Sequence, residues 1–155
     1  KNMRESGTPL SAYSAILSFH KGGWFIDLNG NYYDRIYLSY APSRRYGQTL
    51  VNAGDVDNDG NYVVPAQVKG KGGFMLDGSI GKSIYLKHGS LSINLMITNI
   101  LNNQKIVSGG YEQSRSDYTL KNDGTRSDRA YKFSRNVKKY YVNGINGMLN
   151  VAYKF

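Results

Sequence analysis

The sequence predicts an all-β chain: about five antiparallel strands of a large transmembrane β-barrel, with long extracellular loops. Three observations predict it. Five segments alternate apolar and polar residues with a period of two, and no segment shows comparable helical spacing. The connections between the five are alternately short and long. The chain also holds 14 Tyr and 18 Gly against three Pro. Tyrosine suits a surface greasy at one end and wet at the other, and this balance favours long strands over helices.

The first strand is expected in "SAYSAILSF", where Tyr13, Ala15, Leu17 and Phe19 oppose Ser14 and Ser18. In "WFIDLNGNY" Trp24, Ile26, Leu28 and Tyr32 oppose Asp27, Asn29 and Asn31. In "FMLDGSIGKSIYL" Phe74, Leu76, Ile80, Ile84 and Leu86 oppose Asp77, Ser79 and Ser83. In "LSINLMITN" Leu91, Ile93, Leu95 and Ile97 oppose Ser92, Asn94 and Thr98. The last is "NGINGMLNVAYKF", with Ile145, Leu149, Val151, Tyr153 and Phe155 on one face and Asn146, Asn150 and Lys154 on the other. A regular pattern up to Phe155 predicts an ordered final strand where chain ends usually fray.

"HKGG" and "KHG" are hairpin-length, Gly-bearing turns. Residues about 40–71 and about 100–142 are far longer connections than compact soluble domains normally carry. Transmembrane barrels have this asymmetry by rule, with tight periplasmic turns and long external loops. The topology then predicts an inner aromatic rim of Phe19, Trp24, Phe25, Tyr85, Tyr153 and Phe155, and an outer rim of Tyr32, Tyr33, Tyr37, Tyr140 and Tyr141. Lys82 falls on the apolar register, where it either snorkels toward the periplasmic end or marks a bulge at Gly81.

No run of more than three apolar residues occurs, which rules out a transmembrane helix and leaves strands as the means of crossing. The chain opens at Lys1 without a charged-then-apolar leader, as expected of a processed product or a piece of something longer. Five is an odd count, and a five-strand wall leaves two open edges in hydrocarbon, at several kcal/mol for each unpaired backbone group. The whole of 1–155 is therefore expected to be one segment of a larger barrel.

The segments "APSRRY", "VPAQ", "TNILNNQ", "GGYEQSRSDY", "RAYKFSRN" and "NGINGMLNVAYKF" occur in this order. Together they resemble the C-terminal end of SusC/RagA-type TonB-dependent outer-membrane transporters. The resemblance implies a barrel of roughly 22 strands around an N-terminal plug, nutrient import of oligosaccharides or peptides driven through the TonB complex, and a SusD-like surface lipoprotein. The plug and signal peptide are not in this chain. The resemblance also implies that Tyr153 and Phe155 are read by the barrel-assembly machinery.

Other chemistry is thin. "DVDNDGNY" spaces Asp55, Asp57 and Asp59 as an EF-hand loop opens, but the twelfth position is Ala66 rather than Glu. It reads either as a calcium candidate or as a loop of turn-forming residues. No other cofactor is expected. His20 and His88 are the only histidines, too few to close a metal site or support a triad, so no enzyme is expected. Without cysteine, neither a disulfide nor a thiolate site exists.

The net charge is +9. In the last long loop Glu112, Asp117, Asp123 and Asp128 are expected to pair internally, for example Glu112 or Asp117 with Arg115 or Arg129. Lys138 and Lys139, beside Tyr140, are expected to meet lipopolysaccharide phosphates. Interleaved Lys, Arg and Tyr would also suit nucleic acid, but strand and loop lengths argue against it. The competing reading of the whole chain is a soluble β-sandwich carbohydrate-binding module.

Overall fold

A computed structural model of the protein describes residues 3–113, 118–128 and 137–155. In chain order the elements are β1 (Pro9–Lys21), β2 (Trp24–Tyr37), a 3-10 turn (Pro42–Arg45), α1 (Gly47–Ala53), β3 (Lys69–Gly70), β4 (Gly73–Leu86), β5 (Gly89–Thr98), β6 (Val107–Glu112), β7 (Tyr118–Leu120), β8 (Arg126–Asp128), β9 (Val137–Tyr141) and β10 (Asn146–Lys154). The chain is all-β in character, and it divides into two compact units.

The sheet unit comprises Leu10–Arg35, Lys71–Ile106 and Tyr141–Phe155. Its strands run in the order β1-β2-β4-β5-β10, the five that alternation predicts. β2–β4, β4–β5 and β5–β10 are antiparallel and paired without a break in register, from Trp24↔Lys82 to Tyr33↔Gly73, Gly78↔Ile97 to Leu86↔Gly89, and Asn146↔Thr98 to Lys154↔Ser90. The Gly22–Gly23 turn between β1 and β2 has φ of 57° and 80°, which L side chains avoid. The sheet does not close, and β1 and β10 are its two edges.

Unbroken pairing keeps alternate residues on one face across all strands. One face carries Trp24, Ile26, Leu28 and Tyr32 of β2, Phe74, Leu76, Ile80, Lys82 and Ile84 of β4, Leu91, Ile93, Leu95 and Ile97 of β5, and Leu149, Val151 and Tyr153 of β10. The Tyr13 and Tyr32 rings, 6.4 Å apart, put the odd residues of β1 on this face too. The other face is polar.

The loop unit comprises Lys1–Pro9, Ile36–Gly70 and Val107–Tyr140. Here the long connections hold structure of their own: β3 pairs with Ile36 and Tyr37, β6 with β9, and β7 with β8. The one α-helix among the described residues was not foreseen. Its seven residues are too few for an apolar stripe to register; a single buried Leu50 anchors it, and Gly54 caps it in the left-handed conformation. Ile36, Leu38, Ala41, Leu50 and Val107 are buried together in this unit. In the sheet unit the corresponding residue is Ile106, which lies after β5 and outside the five strands.

Candidate functional site

The sheet unit's candidate site is its pair of unlike faces. On the apolar face Leu17 is 69% exposed, Leu149 64%, Tyr153 53% and Ile80 42%. Side chains of this kind normally make up a core; here they line the outer surface of a single layer. Phe19 and Trp24 are likewise exposed near the short turns, and Tyr32 near the opposite end. The Tyr153 and Phe155 rings stand 6.3 Å apart.

Several expected rim aromatics lie elsewhere. Tyr85 pairs with Ser90, which puts it on the polar face, so it does not extend the inner apolar rim. Phe25 and Tyr33 are on that face as well. Phe25 lies across Gly81, where a Cβ would run into its ring, so a side chain there would force the ring to move. Tyr37 follows Arg35, a left-handed residue (φ 54°) within β2, and packs in the loop unit under the Arg4 guanidinium at 6.0 Å. Tyr140 sits 6.4 Å from Tyr111 in the loop unit, and Tyr141 begins the return to the sheet unit. Both are exposed, as are Lys138 and Lys139 of β9.

For Lys82 the continuous registers exclude the bulge at Gly81. Its Nζ donates to the Gly22 carbonyl at 3.1 Å and lies 4.6 Å from the Trp24 ring centroid. The side chain reaches the short-turn end, where the charge meets a carbonyl and an aromatic face.

The polar face gathers Asp27, Asn29, Asp77, Asn94, Asn146 and Asn150 on one side. Asn31 Nδ2 donates to Asp77 Oδ2 at 3.2 Å, and the Asn99 backbone N–H donates to Asp77 Oδ1 at 2.8 Å. Ser79 donates to Asp27 and Ser14 to Asn29. A shallow groove of about 200 Å³ is bordered by Asp27, Asn29, Asp77, Ser79, Met96 and Thr98. Asn99, left-handed at φ 52° and buried, donates to the Asn143 carbonyl at 2.8 Å; Asn102 Oδ1 accepts from the Ile145 N–H at 3.0 Å. "TNILNNQ" thus clamps the entry to "NGINGMLNVAYKF".

A second clamp organises the loop unit. Arg45 Nη1 donates to Glu112 Oε2 at 2.6 Å and to the Ala41 carbonyl, and Nη2 donates to Glu112 Oε1 at 2.9 Å and the Ala66 carbonyl. Nε donates to the Pro65 carbonyl, so all five guanidinium donors are engaged. The Ala41 N–H completes the Glu112 side. The two side chains are only 8% and 3% exposed. Burial pushes the Glu112 carboxyl up, but the Arg45 guanidinium and Ala41 N–H more than offset this, leaving it below its ordinary value. "APSRRY", "VPAQ" and "GGYEQ" therefore meet in one place.

Glu112 does pair, with Arg45. Arg115, Asp117, Arg129, Lys132 and Arg135 lie outside the described residues. Asp123 accepts from the Thr125 hydroxyl at 2.6 Å, which holds its carboxyl low.

The "DVDNDGNY" loop displays the turn geometry. Asp57 Oδ1 accepts the N–H of Asp59 at 3.0 Å and of Asn61 at 2.8 Å, and Oδ2 accepts the Asn61 side-chain amide. These bonds, the Asn61 N–H first, hold the Asp57 carboxyl below its ordinary value. Among the described residues no three acidic or imidazole side chains converge as a metal site.

These features define an open, single-layer antiparallel sheet with one exposed apolar face, accompanied by a folded loop unit. In comparisons with known proteins, no family model, curated protein or solved structure matches the chain.

Proposed function

We propose that the chain is a wall segment of a large bacterial outer-membrane β-barrel, the C-terminal part of a TonB-dependent transporter of the SusC/RagA kind. The observation that carries this reading is the exposed apolar face spread over all five strands of the sheet unit. In water such a face would drive aggregation, whereas in lipid it is the ordinary exterior of a barrel wall. The open edges argue the same way: unpaired groups along β1 and β10 would be intolerable in hydrocarbon, so further strands of the parent complete the cylinder.

In this reading the short turns face the periplasm and the long connections lie outside. The mechanism is passage rather than catalysis. Asp27, Asn29, Asp77, Asn94, Asn146 and Asn150 line the lumen or contact the plug. The plug, TonB coupling, the SusD-like lipoprotein and import of oligosaccharides or peptides belong to the parent and rest on the resemblance. Tyr153 and Phe155 form the signal for the barrel-assembly machinery. A soluble sandwich would need the apolar face dry against a second sheet, and the exposure of Leu17 and Leu149 speaks against it.

Fractionation tests the proposal. The protein, expressed with its flanking sequence in a Gram-negative host, should sediment with outer membranes, resist carbonate and salt, and extract only in detergent. A folded monomer in plain buffer would overturn it.

A further inference from the structure

We infer that the short-turn end of the sheet binds the phosphate headgroup of an anionic glycerophospholipid, through Lys82 and Trp24 with Lys21 alongside. The inference rests on the wall reading and adds the lipid class which that wall prefers.

Lys82 occupies a half-buried position on the apolar face, between Trp24 on β2 and Ile93 on β5. A cation on such a face is costly unless something offsets it. Part of the offset is internal, from the Gly22 carbonyl and the Trp24 ring. The carbonyl takes one of three ammonium donors, and among the described residues no carboxylate pairs with Lys82. Lys21 shares the parity of Tyr13 and so closes β1 on the same face, exposed. Lys87 and Lys154 are exposed at this same end. Residues 19–25, 81–92 and 151–155 contain no Asp or Glu.

The result is a cationic rim without acidic side chains, set directly against Ile80, Ile84 and Ile93. A free phosphate would gain nothing from that apolar border. A phosphate carrying acyl chains fits both parts: its charge lies beside the two ammonium groups, and its chains lie along the isoleucines. Trp24, amphipathic at the boundary, suits the interfacial depth.

The test uses the full-length parent protein, reconstituted in phosphatidylcholine nanodiscs with or without a fraction of phosphatidylglycerol, with retained lipid counted by native mass spectrometry. The expected result is selective retention of phosphatidylglycerol and a higher melting temperature in its presence. The Lys21→Gln/Lys82→Gln variant should lose about tenfold of that preference, whereas Lys138→Gln/Lys139→Gln, in the loop unit, should keep it. Equal retention of both lipids, an undiminished preference in the Lys21/Lys82 variant, or equal stabilisation by inorganic phosphate alone would overturn the inference while leaving the wall intact. Failure of the protein to enter nanodiscs at all would overturn the wall reading, and this one with it.

Discussion

Arg45 and Glu112, separated by 67 positions in the chain, form a two-point ion pair at 2.6 and 2.9 Å in which both side chains are almost fully buried. The pair links the 3-10 turn to the end of β6 and fixes the carbonyls of Ala41, Pro65 and Ala66 around it. Removing one partner strands a buried charge. Arg45→Ala or Arg45→Met should therefore lower the stability of the loop unit by about 3–5 kcal/mol, with Arg45→Met/Glu112→Leu recovering much of the loss. Hydrogen-exchange protection of Leu38, Leu50 and Val107 would read this out, and protection unchanged in the single variants would contradict it.

The same pair sets an acid response. The folded Glu112 carboxyl titrates below its ordinary 4.5, so its contribution is present above that value and lost as pH falls through the lower, folded one. Opening of the loop unit should begin below about pH 4.5, and Glu112→Gln should flatten this dependence while lowering stability at neutral pH. Cleavage of the loop unit by pepsin, an acid protease active in this range, compared between the two forms as pH is lowered, checks it.

Gly81 has no room for a side chain under the Phe25 ring. Gly81→Val should cost about 1–3 kcal/mol, and Phe25→Ala should relieve it in the double variant. The temperature at which the assembled barrel loses its heat-modifiable gel mobility measures both. Additive losses in the double variant would show that the ring is not the obstacle.

Leu149 and Asn150 are neighbours in sequence and point to opposite faces of β10. Leu149→Arg should impair membrane assembly by about 2–4 kcal/mol, whereas Asn150→Arg should be tolerated. Quantitative blotting of outer-membrane fractions discriminates the two, and equal effects would mean that the faces do not meet different solvents.

Asp57 already spends its carboxylate on the backbone of its own loop. Millimolar calcium should leave the melting temperature and loop proteolysis unchanged, Asp57→Asn should preserve the turn, and Asp57→Ala should expose it to protease. Protection that appears only with calcium would restore the metal reading.

Lys138 and Lys139 stand exposed on β9 beside Tyr140. If they meet lipopolysaccharide, Lys138→Gln/Lys139→Gln should diminish thermal stabilisation by added lipopolysaccharide and leave the lipid-free melting temperature unchanged. Undiminished stabilisation would remove them from that role.

Much of the fold was legible because strand alternation is local. A side chain's face follows from its parity, so the five sheet strands and the polar set around Asp27, Asn29 and Asp77 could be read residue by residue. Parity also exposes the weak point of the aromatic expectations: Phe25, Tyr33 and Tyr85 were grouped by depth, and pairing puts them on the polar face. The seven-residue helix left no signal, since two turns cannot establish a stripe.

By itself the sequence determined the two-faced strands, the hairpin glycines and the absence of thiol chemistry, because each depends on residues within a few positions of one another. Only the tertiary structure decided that Lys82 reaches the turn instead of bulging the strand, that Asp57 closes on its own loop, and that Glu112 meets Arg45. Opposite charges are interchangeable along a chain. Which pair forms depends on where distant backbone groups converge, as the Ala41, Pro65 and Ala66 carbonyls and the Ala41 N–H do around Arg45 and Glu112.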